Sequence, residues 1–154
     1  MMNADDFSWQ RLIQQAEGLL SVSRNRISNA ANLSALLYRE LADVSWVGFY
    51  LLDGETLMLG PFQGKPACVS IKLGEGVCGT AAASGETIRV ADVDTFHGHI
   101  ACDADARSEL VVPLLKQGRL LGVLDVDSTS LDRFTREDED GLVAVAQAYL
   151  SSIV

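Results

Sequence analysis

The spacing of apolar residues changes near residue 44, and this change constrains the fold more than any other feature of the chain. Over residues 7–22 and 27–42, apolar residues recur every three or four positions, which predicts two amphipathic helices. From Ser45 to Leu52 the period becomes two. Asp53-Gly54 is a turn signal that brings the chain back as a second strand over 56–59. Two helices followed by an antiparallel hairpin indicate an α+β fold.

The remaining pattern predicts short strands, one short helix and one long helix. The strands lie at 67–73, 87–90, 110–115 and 120–127, and the short helix at 80–84. Thr135 is a helix-capping residue followed by acidic residues, which favours a helix over about 135–152. We therefore expect one domain over 1–154, with a mostly antiparallel central sheet and its loops over about 44–128. The N-terminal helices (about 7–42) and the C-terminal helix should pack on one side of that sheet.

The charge of the chain excludes two classes of partner. With 12 basic and 21 acidic side chains its formal net charge is −9, whereas nucleic acids and anionic membranes recruit proteins through surplus Lys and Arg. No apolar run approaches the roughly 20 residues that a membrane-spanning helix requires. A hydrophobic fraction of 48% is that of a globular protein. We expect a cytoplasmic protein that binds neither nucleic acid nor membrane.

The three cysteines carry the predicted chemistry. Three thiols without a C-x-x-C pair suggest redox chemistry rather than a disulfide scaffold or a structural metal. Cys102 lies in Gly98-His99-Ile100-Ala101-Cys102-Asp103, between an imidazole and a carboxylate, within a loop over 91–107 that has no periodicity of its own. Long loops of this kind in compact domains are usually functional. Cys68 and Cys78 lie upstream in glycine-rich segments.

Three other patterns admit competing interpretations. Residues 74–79 match G-x-G-x-x-G between a strand and a short helix, as in dinucleotide sites. The strand before them is half-exposed by its pattern, whereas a Rossmann strand is buried on both faces, which disfavours this hypothesis. A zinc site built from His99 and the three cysteines lacks the paired ligand spacing of structural zinc sites. Glu109, Asp125 and Asp127 form an alternative site for a hard cation, although we predict no metal and no cofactor.

Six segments also resemble the free methionine-(R)-sulfoxide reductases, which are single GAF-domain enzymes. They occur in the same order from about residue 33 to 150, at 46–50, 60–65, 76–79, 98–103, 108–109 and 122–128. The resemblance implies a GAF fold and an oxidoreductase that acts on a sulfoxide. It implies that Cys102 is the catalytic nucleophile, that Cys68 is the resolving cysteine and that Cys78 can join the disulfide exchange. It also places five residues in the substrate pocket: Trp46, Tyr50, Glu109, Asp125 and Asp127.

The chemistry of sulfoxide reduction agrees with these residues. A thiolate attacks the sulfur and an acid protonates the departing oxygen. The enzyme keeps a sulfenic acid, which a second thiol converts to a disulfide that an external dithiol of the thioredoxin type reduces. Crowded carboxylates repel one another, so one of the three acids should remain protonated and act as the acid. The others can pair the ammonium group of free methionine-(R)-sulfoxide. Trp46 offers an apolar face to its S-methyl group, and amides around 74–79 are candidates for its carboxylate.

The N-terminal helices carry no cluster of reactive side chains, so we expect them to serve packing or a homodimer. The main alternative function is a sensory GAF module that binds a cyclic nucleotide or another small ligand without catalysis. Sensory modules are normally fused to an output domain, for which we expect no room in 154 residues. Turnover of free methionine sulfoxide with a dithiol distinguishes the two functions.

Overall fold

A computed structural model describes residues 6–100 and 102–154. The strands are β1 (Trp46–Asp53), β2 (Thr56–Gln63), β3 (Ser70–Lys72), β4 (Ile88–Val90), β5 (Ser108–Lys116) and β6 (Arg119–Ser128). The helices are α1 (Trp9–Leu20), α2 (Arg26–Glu40), α3 (Gly76–Ser84) and α4 (Arg136–Ser152), with a 3-10 turn at Val93–Thr95. The strands form one antiparallel sheet in the order β3-β2-β1-β6-β5-β4. The predicted α+β architecture is confirmed, and no described helix is both long and apolar enough to cross a membrane.

The sheet separates two hydrophobic clusters. Alternation along β1 directs Val47 and Phe49 toward α1, α2 and α4, and directs Trp46 and Tyr50 to the opposite face. The first cluster is closed by aliphatic side chains from the helices and from β6, including Leu12, Leu33, Leu37, Leu124 and Leu142. The N- and C-terminal helices therefore pack on one side, as predicted. The second cluster lies on the other face and contains residues of α3.

One buried carboxylate joins α1 to α4. Thr135 and Asp138 form a capping box, in which the Thr135 hydroxyl accepts from the Asp138 amide (3.1 Å) and the Asp138 carboxylate accepts from the Thr135 amide (2.9 Å). Asp138 also accepts from the indole Nε1 of Trp9 (3.0 Å) and from Arg133 (2.9 Å). Gly141 lies against the Trp9 ring, where a Cβ would be 2.1 Å from Cδ2. A glycine at this point of α4 is what allows the indole to approach the helix.

Three predicted boundaries are wrong, each for a local reason. The strand predicted over 56–59 is too short, because β2 continues to Gln63. The pairing of β2 with β1 contains a bulge next to Pro61. Proline has no amide proton to donate to the ladder, and the bulge accommodates it there. β3 is shorter than the strand predicted over 67–73. α3 begins at Gly76 instead of residue 80, so the last four residues of the glycine motif, 76–79, form the first turn of the helix.

Candidate active site

Three carboxylates lie together on the face of the sheet opposite α1 and α4. Asp125 and Asp127 are two residues apart on β6 and line the same cavity, as their spacing predicts. Glu109 of β5 is the cross-strand partner of Asp127. On the other side of β6, Trp46 and Gly48 of β1 are the partners of Asp127 and Asp125. Strand register therefore assembles the three acids, which we call the acid cluster, beside Trp46.

Burial dominates the electrostatics of the acid cluster. Glu109, Asp125 and Asp127 are only 8%, 4% and 8% exposed. Burial raises the pKa of each carboxyl well above its ordinary value, and the charge of a neighbouring carboxylate raises it further. Among the described residues, Oδ1 of Asp125 has no hydrogen-bond partner. Burial therefore favours the protonated form in the acid cluster, which can give a proton to a bound molecule.

Cys78 contributes a thiol to the same place. It lies in the first turn of α3, is 4% exposed, and its Sγ is 3.8 Å from Oε2 of Glu109. Burial raises the pKa of this thiol well above its ordinary value, and the charges of Asp125 and Glu109 raise it further. Because the thiolate is the nucleophilic form of cysteine, Cys78 is poorly suited to the first attack on a substrate.

Trp46 and Tyr50 form one wall of the cavity and also hold the loop that carries Cys68. Their rings stack with centroids 5.9 Å apart. Nε1 of Trp46 donates to the carbonyl of Lys65 (3.1 Å), and the hydroxyl of Tyr50 donates to the carbonyl of Cys68 (2.9 Å). Gly48 lies between them on β1, where a Cβ would be 2.5 Å from Cη2 of Trp46. The two aromatic residues therefore have a structural contact that their sequence pattern did not indicate.

Cys68 and Cys102 form a disulfide that joins two loops 34 residues apart in the chain. The same loops are linked by an ion pair between Lys65 Nζ and Asp105 Oδ2 at 2.7 Å. Among the described cysteines, Cys78 is the free one. Ala101, which belongs to the predicted stretch around Cys102, lies outside the described residues. The structure thus joins the two cysteines that the resemblance pairs, while their separate roles stay predictions.

One cavity, with an accessible volume of about 40 Å³, brings these groups together. Its lining includes all five predicted pocket residues, with Cys78 and Cys102. Other lining residues were not predicted: Ile71, Glu75, Val77, His99 and Ile100 are among them. The apolar ones look like ordinary core residues in the sequence, and the packing of β3, α3 and the loop that carries Cys102 places them here. The G-x-G-x-x-G motif, which contains Glu75, is the sequence signal for this edge of the cavity, and its amides are the ones predicted to meet the substrate carboxylate.

The geometry also bears on the alternative sites. The Rossmann hypothesis is wrong for the described sheet, because β3, the strand before the glycine motif, is paired antiparallel. In the disulfide state, Cys68 and Cys102 have no thiolate to offer to zinc. The amides of Gly74, Glu75 and Gly79 already donate to backbone carbonyls. The amides of residues 76–78 lie in the first turn of α3, where backbone amides have no intrahelical acceptor. They therefore remain candidates for binding the substrate carboxylate.

Comparison with known proteins identifies the family. The sequence profile of the GAF domain matches residues 27–150. The chain is 51% identical to the free methionine-R-sulfoxide reductase of Escherichia coli strain K12 over 141 residues, which cover 92% of this chain and 85% of that protein. The structure of fRMsr of Staphylococcus aureus in its reduced form matches with a TM-score of 0.94 and 44% identity, over 100% of both chains.

A substrate complex is also among the similar structures. The free methionine-R-sulfoxide reductase of Neisseria meningitidis, solved in complex with its substrate, matches with a TM-score of 0.91 and 41% identity, over 94% of this chain and 87% of that one. Sequence and structure agree along nearly the whole chain, which has the GAF fold. The chain therefore belongs to the free methionine-R-sulfoxide reductase family, whose members are oxidoreductases that act on a sulfoxide.

Proposed function

We propose that this chain reduces free L-methionine-(R)-sulfoxide to methionine, with Cys102 as the nucleophile and Cys68 as the resolving thiol. The observation that carries the proposal is the Cys68–Cys102 disulfide next to a cavity lined with acids. A disulfide between two such residues is the product expected when one thiol captures the sulfenic acid of another. Membership of the family supports the choice of substrate.

The first step takes place once the disulfide has been reduced. The thiolate of Cys102 attacks the sulfur of the sulfoxide while the acid cluster donates a proton to the oxygen. The sulfur–oxygen bond breaks, methionine leaves, and the oxygen stays on Cys102 as a sulfenic acid. The raised pKa values of the acid cluster support this step, because they favour the protonated carboxyl that serves as the acid.

The second step restores the disulfide. The thiol of Cys68 attacks the sulfenic sulfur of Cys102, which forms the disulfide and releases water. An external dithiol of the thioredoxin type then reduces the bridge and is itself oxidised to a disulfide. Cys78 can join the exchange, although its raised pKa makes it the slower thiol. The thioredoxin-type partner, the homodimer and the cytoplasmic location stay predictions.

The two charged ends of the free amino acid fit opposite parts of the cavity. The ammonium group pairs with the acid cluster, where Oδ1 of Asp125 is an acceptor without another described partner. The amides of residues 76–78 are offered to the carboxylate by the first turn of α3, and Trp46 faces the S-methyl group. A methionine within a polypeptide lacks both charged ends, so this arrangement favours the free amino acid.

Single-turnover chromatography tests the proposal. Reduced protein, freed of reductant, is mixed with one epimer of free methionine sulfoxide, and we expect about one methionine per chain from the R epimer only. Cys102→Ser should release none. Cys68→Ser should release methionine once and then remain as a sulfenic acid, which mass spectrometry detects. Cys78→Ser is the matched control and should keep cycling with thioredoxin. Turnover by Cys102→Ser would contradict the assignment of the nucleophile, and no turnover of either epimer would favour the sensory module.

A further inference from the structure

Cys78, Glu109 and Asp125 lie close enough to share one ion. Each offers a ligand atom, and the three atoms lie within 4.8 Å of one another. They come from three different elements, α3, β5 and β6, so the position of each is fixed independently. All three residues are buried and line the cavity. We call this set the thiol–carboxylate site.

A second observation indicates that the thiol–carboxylate site lacks a partner. Oδ1 of Asp125 is buried without a hydrogen bond to any described residue, on a side chain that is 4% exposed. Buried carboxylate oxygens are normally paired, because leaving one unpaired is unfavourable. A cation beside Asp125 would satisfy it. The ammonium group of the proposed substrate pairs with carboxylates alone. The thiol of Cys78 beside them is a ligand for a metal ion, and ammonium makes no use of it.

We propose that Cys78, Glu109 and Asp125 bind a borderline divalent cation of the Zn²⁺ class, which excludes the substrate from the acid cluster. A mixed set of one sulfur and two carboxylate oxygens suits Zn²⁺ or Co²⁺, while Mg²⁺ and Ca²⁺ prefer oxygen alone. Three protein ligands with a fourth position open to the cavity is the arrangement of an accessible zinc site. On binding, the ion displaces the thiol proton and any carboxyl proton to solvent.

The composition of this site differs from that of the hard-cation site considered from the sequence. There the three acids were grouped by the spacing of Asp125 and Asp127 and by the family resemblance, and Cys78 was not included. In the structure, the first turn of α3 inserts the thiol beside Glu109, and Asp127 is not part of the set of mutually close ligand atoms. Only the exclusion of substrate rests on the proposed function. Ion binding itself does not depend on it.

Cobalt spectroscopy of the oxidised protein tests the site directly. In this state Cys68 and Cys102 are bonded to each other, so Cys78 is the free thiol that a metal can reach. One equivalent of Co²⁺ should produce a sulfur-to-cobalt charge-transfer band, and Zn²⁺ should abolish it by displacement. Cys78→Ser should lose the band, and Asp125→Asn should weaken Co²⁺ binding at least about tenfold. Glu75→Gln, a carboxylate at the exposed edge of the same cavity, is the matched control and should bind Co²⁺ unchanged.

The same measurement separates the two proposals. Absence of the band, or a band that survives Cys78→Ser, overturns the metal site. Because the oxidised protein does not turn over, failure of the Cys102 chemistry would leave the band in place. Exclusion of substrate is measured with the reduced Cys68→Ser/Cys102→Ser double variant, in which Cys78 is again the free thiol. Free methionine-(R)-sulfoxide should raise the apparent Kd for Co²⁺ in this variant, and an unchanged Kd overturns the exclusion.

Discussion

Replacing Tyr50 by Phe should make the Cys68–Cys102 disulfide easier to reduce. The phenol hydroxyl donates to the carbonyl of Cys68 at 2.9 Å, so it holds the backbone of this cysteine in the bridged geometry. Phe keeps the aromatic ring but removes the donor. If the bond is made mainly in the bridged state, its loss destabilises the oxidised protein relative to the reduced one.

The size of this effect follows from the hydrogen bond. A single such bond contributes about 0.5–1.5 kcal/mol net, which is about a 2- to 13-fold change in the equilibrium between disulfide and dithiol. At about 30 mV per 1.4 kcal/mol for a two-electron couple, the reduction potential should become about 10 to 30 mV less negative. Substrate is absent from this equilibrium, so a role of Tyr50 in substrate binding does not enter.

Redox titration measures the shift. Wild-type protein and Tyr50→Phe are equilibrated in buffers of defined dithiol-to-disulfide ratio, and free thiols are counted after alkylation by mass spectrometry. Tyr149→Phe is the matched control, because its hydroxyl donates to the carbonyl of Arg26 at 3.0 Å, far along the chain from both bridged cysteines. That variant should lose stability without a change in potential. An unchanged potential in Tyr50→Phe would show that Tyr50 holds Cys68 equally in both states and would refute the reasoning.

Three further changes test other parts of the structure. Asp125→Asn should raise the melting temperature at neutral pH. The pKa of this carboxyl is raised in the folded protein. Its contribution to the free energy of unfolding is therefore fully present below the unfolded-state pKa and is lost as pH rises through the folded-state pKa, and asparagine avoids this loss. The gain should vanish near about pH 4, and a lower melting temperature for the variant at neutral pH would contradict this. Gly141→Ala should lower the free energy of unfolding, measured by denaturant titration, by about 1–3 kcal/mol, because its Cβ would be 2.1 Å from the Trp9 ring; a more stable variant would show that the ring moves freely. Lys65→Gln should slow closure of the disulfide less than tenfold in stopped-flow mixing, since it breaks the ion pair with Asp105 between the two loops. High salt should slow the wild type to the same rate, and a salt-independent wild-type rate would exclude an electrostatic role.

Strand spacing predicts only part of the acid cluster: it places Asp125 and Asp127 on one face, whereas the family resemblance places Glu109 in the same pocket. Asp125 and Asp127 share a face because they are two residues apart, and the hairpin of β5 and β6 brings Glu109 opposite Asp127. The capping role of Thr135 also follows from local chemistry and is confirmed. These features depend on short-range geometry, which the sequence carries directly.

Contacts that depend on how distant elements cross could not be predicted in this way. The position of Cys78 beside Glu109 requires α3 to lie over the sheet, and no local signal sets that distance. The hydrogen bond from Tyr50 to the carbonyl of Cys68 depends on the path of a loop. The extension of β2 past Pro61 depends on a bulge in its pairing with β1, whereas proline and glycine by themselves favour a loop.

The two faces of the sheet have a consequence for how such a domain can diversify. Along β6, Leu124 and Val126 pack with the helices, while Asp125 and Asp127 line the cavity. Neighbouring residues of one strand therefore have different roles. A substitution on the cavity face changes which molecule is recognised without opening a void among the helices. The side chains that pack among the helices and those that line the cavity belong to two separate clusters, so the packing among the helices does not include the residues that contact a ligand. New binding specificities can therefore accumulate on this scaffold while the folding core is inherited intact.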